Sequence, residues 1–268
     1  FDAALSDDPS LAGVEITHLS AAGSADIHWA REVYGVLEAR GQVPVQRPLA
    51  ALNSAFATDG VLIRATGKAA KPVALVYIHR DEGSDAILHH CIKLEAGAEV
   101  TILENGPAAA RFTKVMEVDV ADGARFHHIR TQGRDHERRA ATHIFARLGA
   151  GALFKSFTLT ANGVLTRNEA VIELKGDDAR AHVAGAALGG GPAAAGAAAR
   201  AVRRGAGHPF GYGSCAAVNE GTGQEATPLG AGTPERRGCT GPHDTHDRTA
   251  SDPQSRAWLV GRSMRGEI

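Results

Sequence analysis

The period of the apolar positions changes along the chain. Ile27, Ala30, Val33, Tyr34 and Leu37 recur at three- and four-residue spacing, the stripe of an amphipathic helix. Ser24 suits the N-cap, Asp26 the first turn and Gly41 the C-terminal stop, so the spacing predicts a helix over 25–40. Pro44 and Pro48 mark a linker, and residues 48–56 read as a short helix with proline in its first turn. Asp59-Gly60 then turns the chain into a predicted strand over Val61–Arg64, while residues 1–23 read as irregular.

From residue 61 to 188 the pattern becomes strand, turn, strand. The turns Glu95–Ala98, Ala121–Ala124, Gly149–Ala152 and Gly176–Ala179 end 26, 28 and 27 positions apart. Strands are expected before each turn (Ile92–Leu94, Met116–Val120, Ile144–Leu148, Val171–Leu174) and after each (Val100–Leu103, Arg125–Thr131, Leu153–Thr160, Ala181–Ala184). A constant period of this length is the mark of a repeat architecture, and the missing crossover helices argue against βαβ units. The pattern favours a mainly β fold, a parallel β-solenoid in which each repeat is one coil. Antiparallel hairpins in a sandwich are the competing reading. In the solenoid, Ala98, Ala124, Ala152 and Ala179 stack in one column about 5 Å apart.

Composition divides the chain. Half of its 32 glycines fall in residues 189–268, where no Lys occurs. The organisation expected is an N-terminal helical segment (1–58), a β-helix core (59–188) and a Gly/Ala/Arg-rich tail (189–268). The tail is expected to be disordered, or out-of-frame reading of GC-rich DNA. A first residue of Phe reads as a fragment. The net charge of −1 argues against non-specific nucleic-acid binding. No apolar run reaches the roughly 18 residues of a membrane span. Phe1-Asp2 does not open a secretory signal, and three scattered cysteines (Cys91, Cys215, Cys239) point to a reducing, cytoplasmic setting.

His89-His90-Cys91 is the one dense group of soft ligands. On a strand, His89 and Cys91 share a face and His90 takes the other. Two ligands on a face do not make a metal site, so the group reads as a buried cysteine beside a hydrogen-bonded histidine. His127-His128 is expected one coil on, near the first pair. His143, Arg147, Arg167, Asn168 and Glu169 read as surface and turn residues. His208, Cys215, Cys239, His243 and His246 match no zinc spacing. The chain carries no nucleophile elbow, P-loop, dinucleotide fingerprint, C-x-x-C or H-E-x-x-H, so no enzymatic activity, no catalytic residue and no resident metal are expected.

Pro48–Phe56 followed by Asp59–Ile63 resembles the start of the core of the SufD family, scaffold subunits of the SUF iron–sulfur cluster assembly system. Lys71-Pro-Val73, Leu94–Glu99, Gly123-Ala-Arg125 and Thr166–Glu169 resemble the same core in the same order. The resemblance spans about residues 25–188, and the sister family SufB has a similar core. It implies a right-handed parallel β-helix flanked by helical domains, and a non-catalytic scaffold. That scaffold would pair with a SufB-like subunit and a SufC-like ABC-type ATPase, with the iron–sulfur cluster held only transiently at the level of the complex. The family's C-terminal His, Pro, Cys and Ser motif has no counterpart here, so no cluster-contacting residue carries over. Two other readings remain at this point: a polysaccharide-binding or polysaccharide-acting solenoid, and a structural module without chemistry.

Overall fold

The computed structural model of the protein describes residues 12–22, 29–43, 45–78, 83–106, 110–132, 138–161, 163–190, 194–203 and 215–220. Strands β2 (Val61–Ala65), β4 (Asp85–Leu94), β6 (Arg111–Val120), β8 (Arg139–Leu148), β10 (Leu165–Leu174) and β12 (Ala194–Arg203) run parallel in one sheet. Strands β3 (Val73–Val76), β5 (Glu99–Asn105), β7 (Arg125–Gln132), β9 (Leu153–Ala161), β11 (Arg180–Gly190) and β13 (Cys215–Glu220) make the second. Each strand pairs with the one two places on in sequence, so the chain alternates between sheets as it climbs. This is a parallel β-solenoid; the hairpin sandwich is excluded, because every neighbour from β2 onward is parallel.

The corner between the sheets repeats as the spacing predicts. The alanine column is borne out by register: Glu99 faces Arg125, Arg125 faces Leu153, and Leu153 faces Arg180, which sets Ala98, Ala124, Ala152 and Ala179 one above another. All four are buried where the coils turn. The residue before each alanine is left-handed: Gly97, Gly123 and Gly151 at φ 71°, 66° and 63°, and Asp178 at 57°. Glycine takes that conformation without strain, and aspartate is among the side chains that tolerate it. The turn amides bond up the stack, Gly97 N to Asp122 O at 2.9 Å and Gly123 N to Ala150 O at 2.8 Å.

Alternation along each strand fills the interior. Near the corner Ile92, Leu94, Val100, Ile102, Met116, Val118, Phe126, Leu148 and Phe154 form one apolar cluster drawn from both sheets. Each such side chain contributes roughly 1.5–3 kcal/mol by burial. Outside the first sheet lies a second apolar layer. There α2 (Val36–Gly41), α3 (Pro48–Phe56) and a 3₁₀ turn (Trp29–Glu32) bring Ala30, Val33, Leu37 and Ala50 against Leu62, Cys91, Val115, Phe145 and Val171. The Asn53 amide donates to Thr113 Oγ1 at 3.0 Å and anchors α3 to β6.

Three expectations change. The helix expected over 25–40 is not continuous where it is described. Residues 23–28 fall outside the described part, and the rest is a 3₁₀ turn, a bend and α2, separated at Gly35 with φ 71°. The break brings the Gly35 and Glu38 amides onto Glu117, while Val33 and Leu37 still pack on the sheet. The N-terminal region is not all irregular, since β1 (Val14–His18) pairs antiparallel with β2, followed by a single helical turn, α1 (Leu19–Ala22). The ladder also passes the compositional boundary at Gly189. β11 continues to Gly190, and β12 pairs with β10 from Leu165–Ala194 to Leu174–Arg203. An open parallel edge offers its N–H and C=O groups to a following strand whatever side chains that strand carries. Residues 221–268 lie outside the described part.

Candidate functional site: two polar clusters on opposite faces of one strand

Strand β4 places His89 and Cys91 on the outer face and His90 in the interior, as alternation requires. Cys91 pairs with Glu117 of β6 in register, and both side chains lie beneath the N-terminal helices, fully buried with His89. One ligand atom from each of His89, Cys91 and Glu117 lies within 4.8 Å of the other two. His89 Nε2 is 3.4 Å from Glu117 Oε2 without hydrogen-bond geometry, and neither ring nitrogen of His89 has a hydrogen-bond partner.

The turn that breaks the expected helix holds the carboxylate. The Gly35 N–H donates to Glu117 Oε2 at 2.8 Å and the Glu38 N–H to Oε1 at 2.7 Å. The left-handed conformation of Gly35 aims its amide inward, which a β-branched residue there would resist. Tyr34 closes the pocket, its ring centroid 4.1 Å from that of His89 and its hydroxyl donating to Ser54 O at 2.7 Å. Burial, with Glu117 adding to it, holds the Cys91 thiol well above its ordinary value. Burial also raises Tyr34, with Cys91 and Glu117 beside it. Imidazole, thiolate and carboxylate are the donor types that bind zinc-class metals.

The interior cluster is built around Glu104. Lys114 Nζ donates to both of its oxygens, Arg130 Nε stands 3.4 Å from Oε2, and His128 Nε2 stands 3.6 Å from it. His128 Nδ1 meets Ser156 Oγ at 2.8 Å, and the Arg130 guanidinium lies 5.6 Å from the centre of the Phe112 ring. Burial pushes the Glu104 carboxyl up, but Lys114, His128 and Arg130 outweigh it and hold the group well below the carboxylate range. Lys114 is depressed to about 7 by burial and by Arg130, against the pull of Glu104. Three basic side chains thus face the one Glu104 carboxylate. His90 is the far end of the cluster. Its Nδ1 accepts from Val61 N at 3.0 Å, which leaves the proton on Nε2, 2.9 Å from Tyr77 Oη. Burial, followed by the charge of Glu104, raises Tyr77 well above its ordinary value. Burial, followed by the charge of Lys114, lowers His90 to about 3.

Placement corrects several sequence expectations. His127-His128 is on β7 of the other sheet and does not stack on His89-His90 of β4; instead His128 stands 3.6 Å from Glu104, while His90 bonds Val61 N and Tyr77. His143 and Glu169 are not surface residues. Glu169 accepts from the buried Arg47 Nε at 2.7 Å, and burial lowers His143 to about 4. Arg147 pairs with Asp119 at 2.6 Å, and Asn168 bonds Thr142 and Thr160. Cys215 opens β13, whereas His208, Cys239, His243 and His246 lie outside the described residues.

Glu117 was absent from the sequence reading although the signal existed. It stands 26 positions after Cys91, one coil along. Tyr77, Glu104, Lys114 and Arg130 had no such marker, because charged residues on strands ordinarily read as solvent-facing.

Residues 77–204 match the family model described as "SUF system FeS cluster assembly, SufBD core domain". The matched segment is just under half of the chain and runs from the end of β3 to the end of β12. It supports the SufB/SufD family and a role in SUF-type FeS cluster assembly, without separating SufD from SufB. No curated protein matches the chain. Among the described residues no helix is long and apolar enough to cross a membrane.

Proposed function

We propose that the protein is a SufD-type, non-catalytic scaffold subunit of a cytoplasmic SUF-type iron–sulfur cluster assembly complex. It pairs with a SufB-like subunit and a SufC-like ATPase, and the cluster is cargo of the complex. The observation that carries this reading is that the SufBD core match, residues 77–204, falls on the parallel ladder. The SufD assignment rests on the likeness of Pro48–Phe56 and Asp59–Ile63 to that family's core. The same match weighs against a polysaccharide-acting solenoid. The end strands of the two sheets, β1 and β12 in one and β3 and β13 in the other, suit strand-to-strand pairing with a sister subunit.

The test is co-expression of the chain with SufB-like and SufC-like partners and affinity capture through the chain. Co-purification of both, and no ATP hydrolysis by the chain alone, is expected. Capture of neither from cells making all three overturns the reading, and turnover of a sugar polymer by the purified chain replaces it.

A further inference from the structure

We infer that His89, Cys91 and Glu117 form a binding site for one borderline divalent transition-metal ion of the zinc, iron(II) or cobalt(II) class, between the first sheet and the N-terminal helices. The inference goes beyond the scaffold reading and stands whether or not the chain joins a complex.

Four observations converge. First, the three donors meet across one register pair, with ligand atoms within 4.8 Å of one another. That is within about an ångström of the separation imposed by metal–ligand bonds of roughly 2.0–2.3 Å. Second, His89 is completely buried and both its ring nitrogens lack a hydrogen-bond partner. Buried polar groups of native proteins are nearly always satisfied, and a coordinate bond satisfies one of these nitrogens. Third, Glu117 is completely buried, and His89 is the one basic side chain within ion-pair distance among the described residues. Its oxygens accept the Gly35 and Glu38 amides, which fix the carboxylate and leave a lone pair free on each oxygen. Fourth, a thiolate, a carboxylate and a neutral imidazole around a divalent ion sum to zero charge, the state an interior tolerates best. The thiolate excludes magnesium and calcium, which take oxygen ligands.

The experiment uses the full chain with Cys215→Ser and Cys239→Ser, so that Cys91 is the only thiol. The chelator-treated protein is titrated with cobalt(II) and followed by absorption. One ion per chain is expected, with a thiolate-to-cobalt charge-transfer band that zinc competes away. Cys91→Ser abolishes the band, and His89→Asn and Glu117→Gln each weaken binding by roughly 100-fold or more, above the range found for supporting residues. His127→Ala, at a partly exposed histidine outside the pocket, leaves the titration unchanged. X-ray absorption on the cobalt-loaded parent needs no folded variant and is expected to show one sulfur neighbour. Absence of the band, its survival in Cys91→Ser, its loss in His127→Ala, or a cobalt shell without sulfur overturns the inference. Partner capture is a separate measurement, so failure of this titration leaves the scaffold reading as it stands.

Discussion

The interior cluster around Glu104 and the outer pocket around Glu117 each bury a carboxylate completely, and they manage its charge in different ways. Glu104 is surrounded by Lys114, Arg130 and His128, and Tyr77, which the charge of Glu104 raises, meets His90 at 2.9 Å. Glu117 has two backbone amides and one histidine whose nitrogens are unsatisfied. The first cluster meets its carboxylate with charged partners from within the solenoid, although His128 Nε2 is left without a hydrogen bond. The second stops one positive charge short. Two adjacent histidines, His89 and His90, belong to opposite cases because a strand sends neighbours to opposite faces.

The largest expected effect comes from breaking the charge-paired cluster around Glu104. Glu104→Gln removes the shared anion and leaves Lys114 and Arg130 buried without it. Urea unfolding is expected to show a loss of roughly 3–5 kcal/mol, the usual cost of orphaning a buried charge. Glu117→Gln, measured without metal, keeps one amide acceptor and is expected to cost only about 1–2 kcal/mol. Equal losses would remove the distinction between the two clusters.

Acid comes next. His90 is held at about 3 and His143 at about 4, below the ordinary 6.5. The unfolded chain therefore binds more protons than the folded one below pH 6.5. The stability these groups contribute is fully present above that pH and is lost as pH falls toward 4 and then 3. The expected slope is about 1.4 kcal/mol per pH unit for each proton taken up on unfolding. Thermal midpoints measured from pH 7 to 4 check this, and a flat profile contradicts the burial of both rings. His90→Gln is expected to make the fall shallower.

The neighbouring histidines sharpen the contrast further. His90→Leu strands the Val61 amide and the Tyr77 oxygen and is expected to cost roughly 1–3 kcal/mol. His89→Leu breaks no hydrogen bond, removes only the 3.4 Å approach to Glu117 and the Tyr34 ring contact, and in metal-free protein is expected to cost less than His90→Leu. Chemical denaturation of the pair, side by side, is the measurement. A larger loss at His89 would mean that its ring is satisfied in a way the geometry does not show.

Much of the solenoid was legible because its signal is periodic. Turns 26, 28 and 27 residues apart carried both the coil length and the alanine column, and strand alternation separated His89 and Cys91 from His90. The break at Gly35 was hidden, since an apolar stripe reads the same whether the helix is whole or divided, and the division serves a contact with Glu117 82 residues away. The ladder beyond Gly189 was hidden for a related reason. Composition measures what side chains can bury, whereas β12 is held by backbone bonding to β10.

The chain by itself therefore determined the architecture, the coil period and the face on which each strand residue lies, all of which follow from local spacing and pleat geometry. Only the tertiary structure decided which charges are buried together. Glu104 with Lys114 and Arg130, and Glu117 with His89 and Cys91, are assembled by register between coils and by the crossing of the lumen from one sheet to the other. Electrostatic energy depends on that distance and on the exclusion of water, and neither quantity is written in the order of the residues.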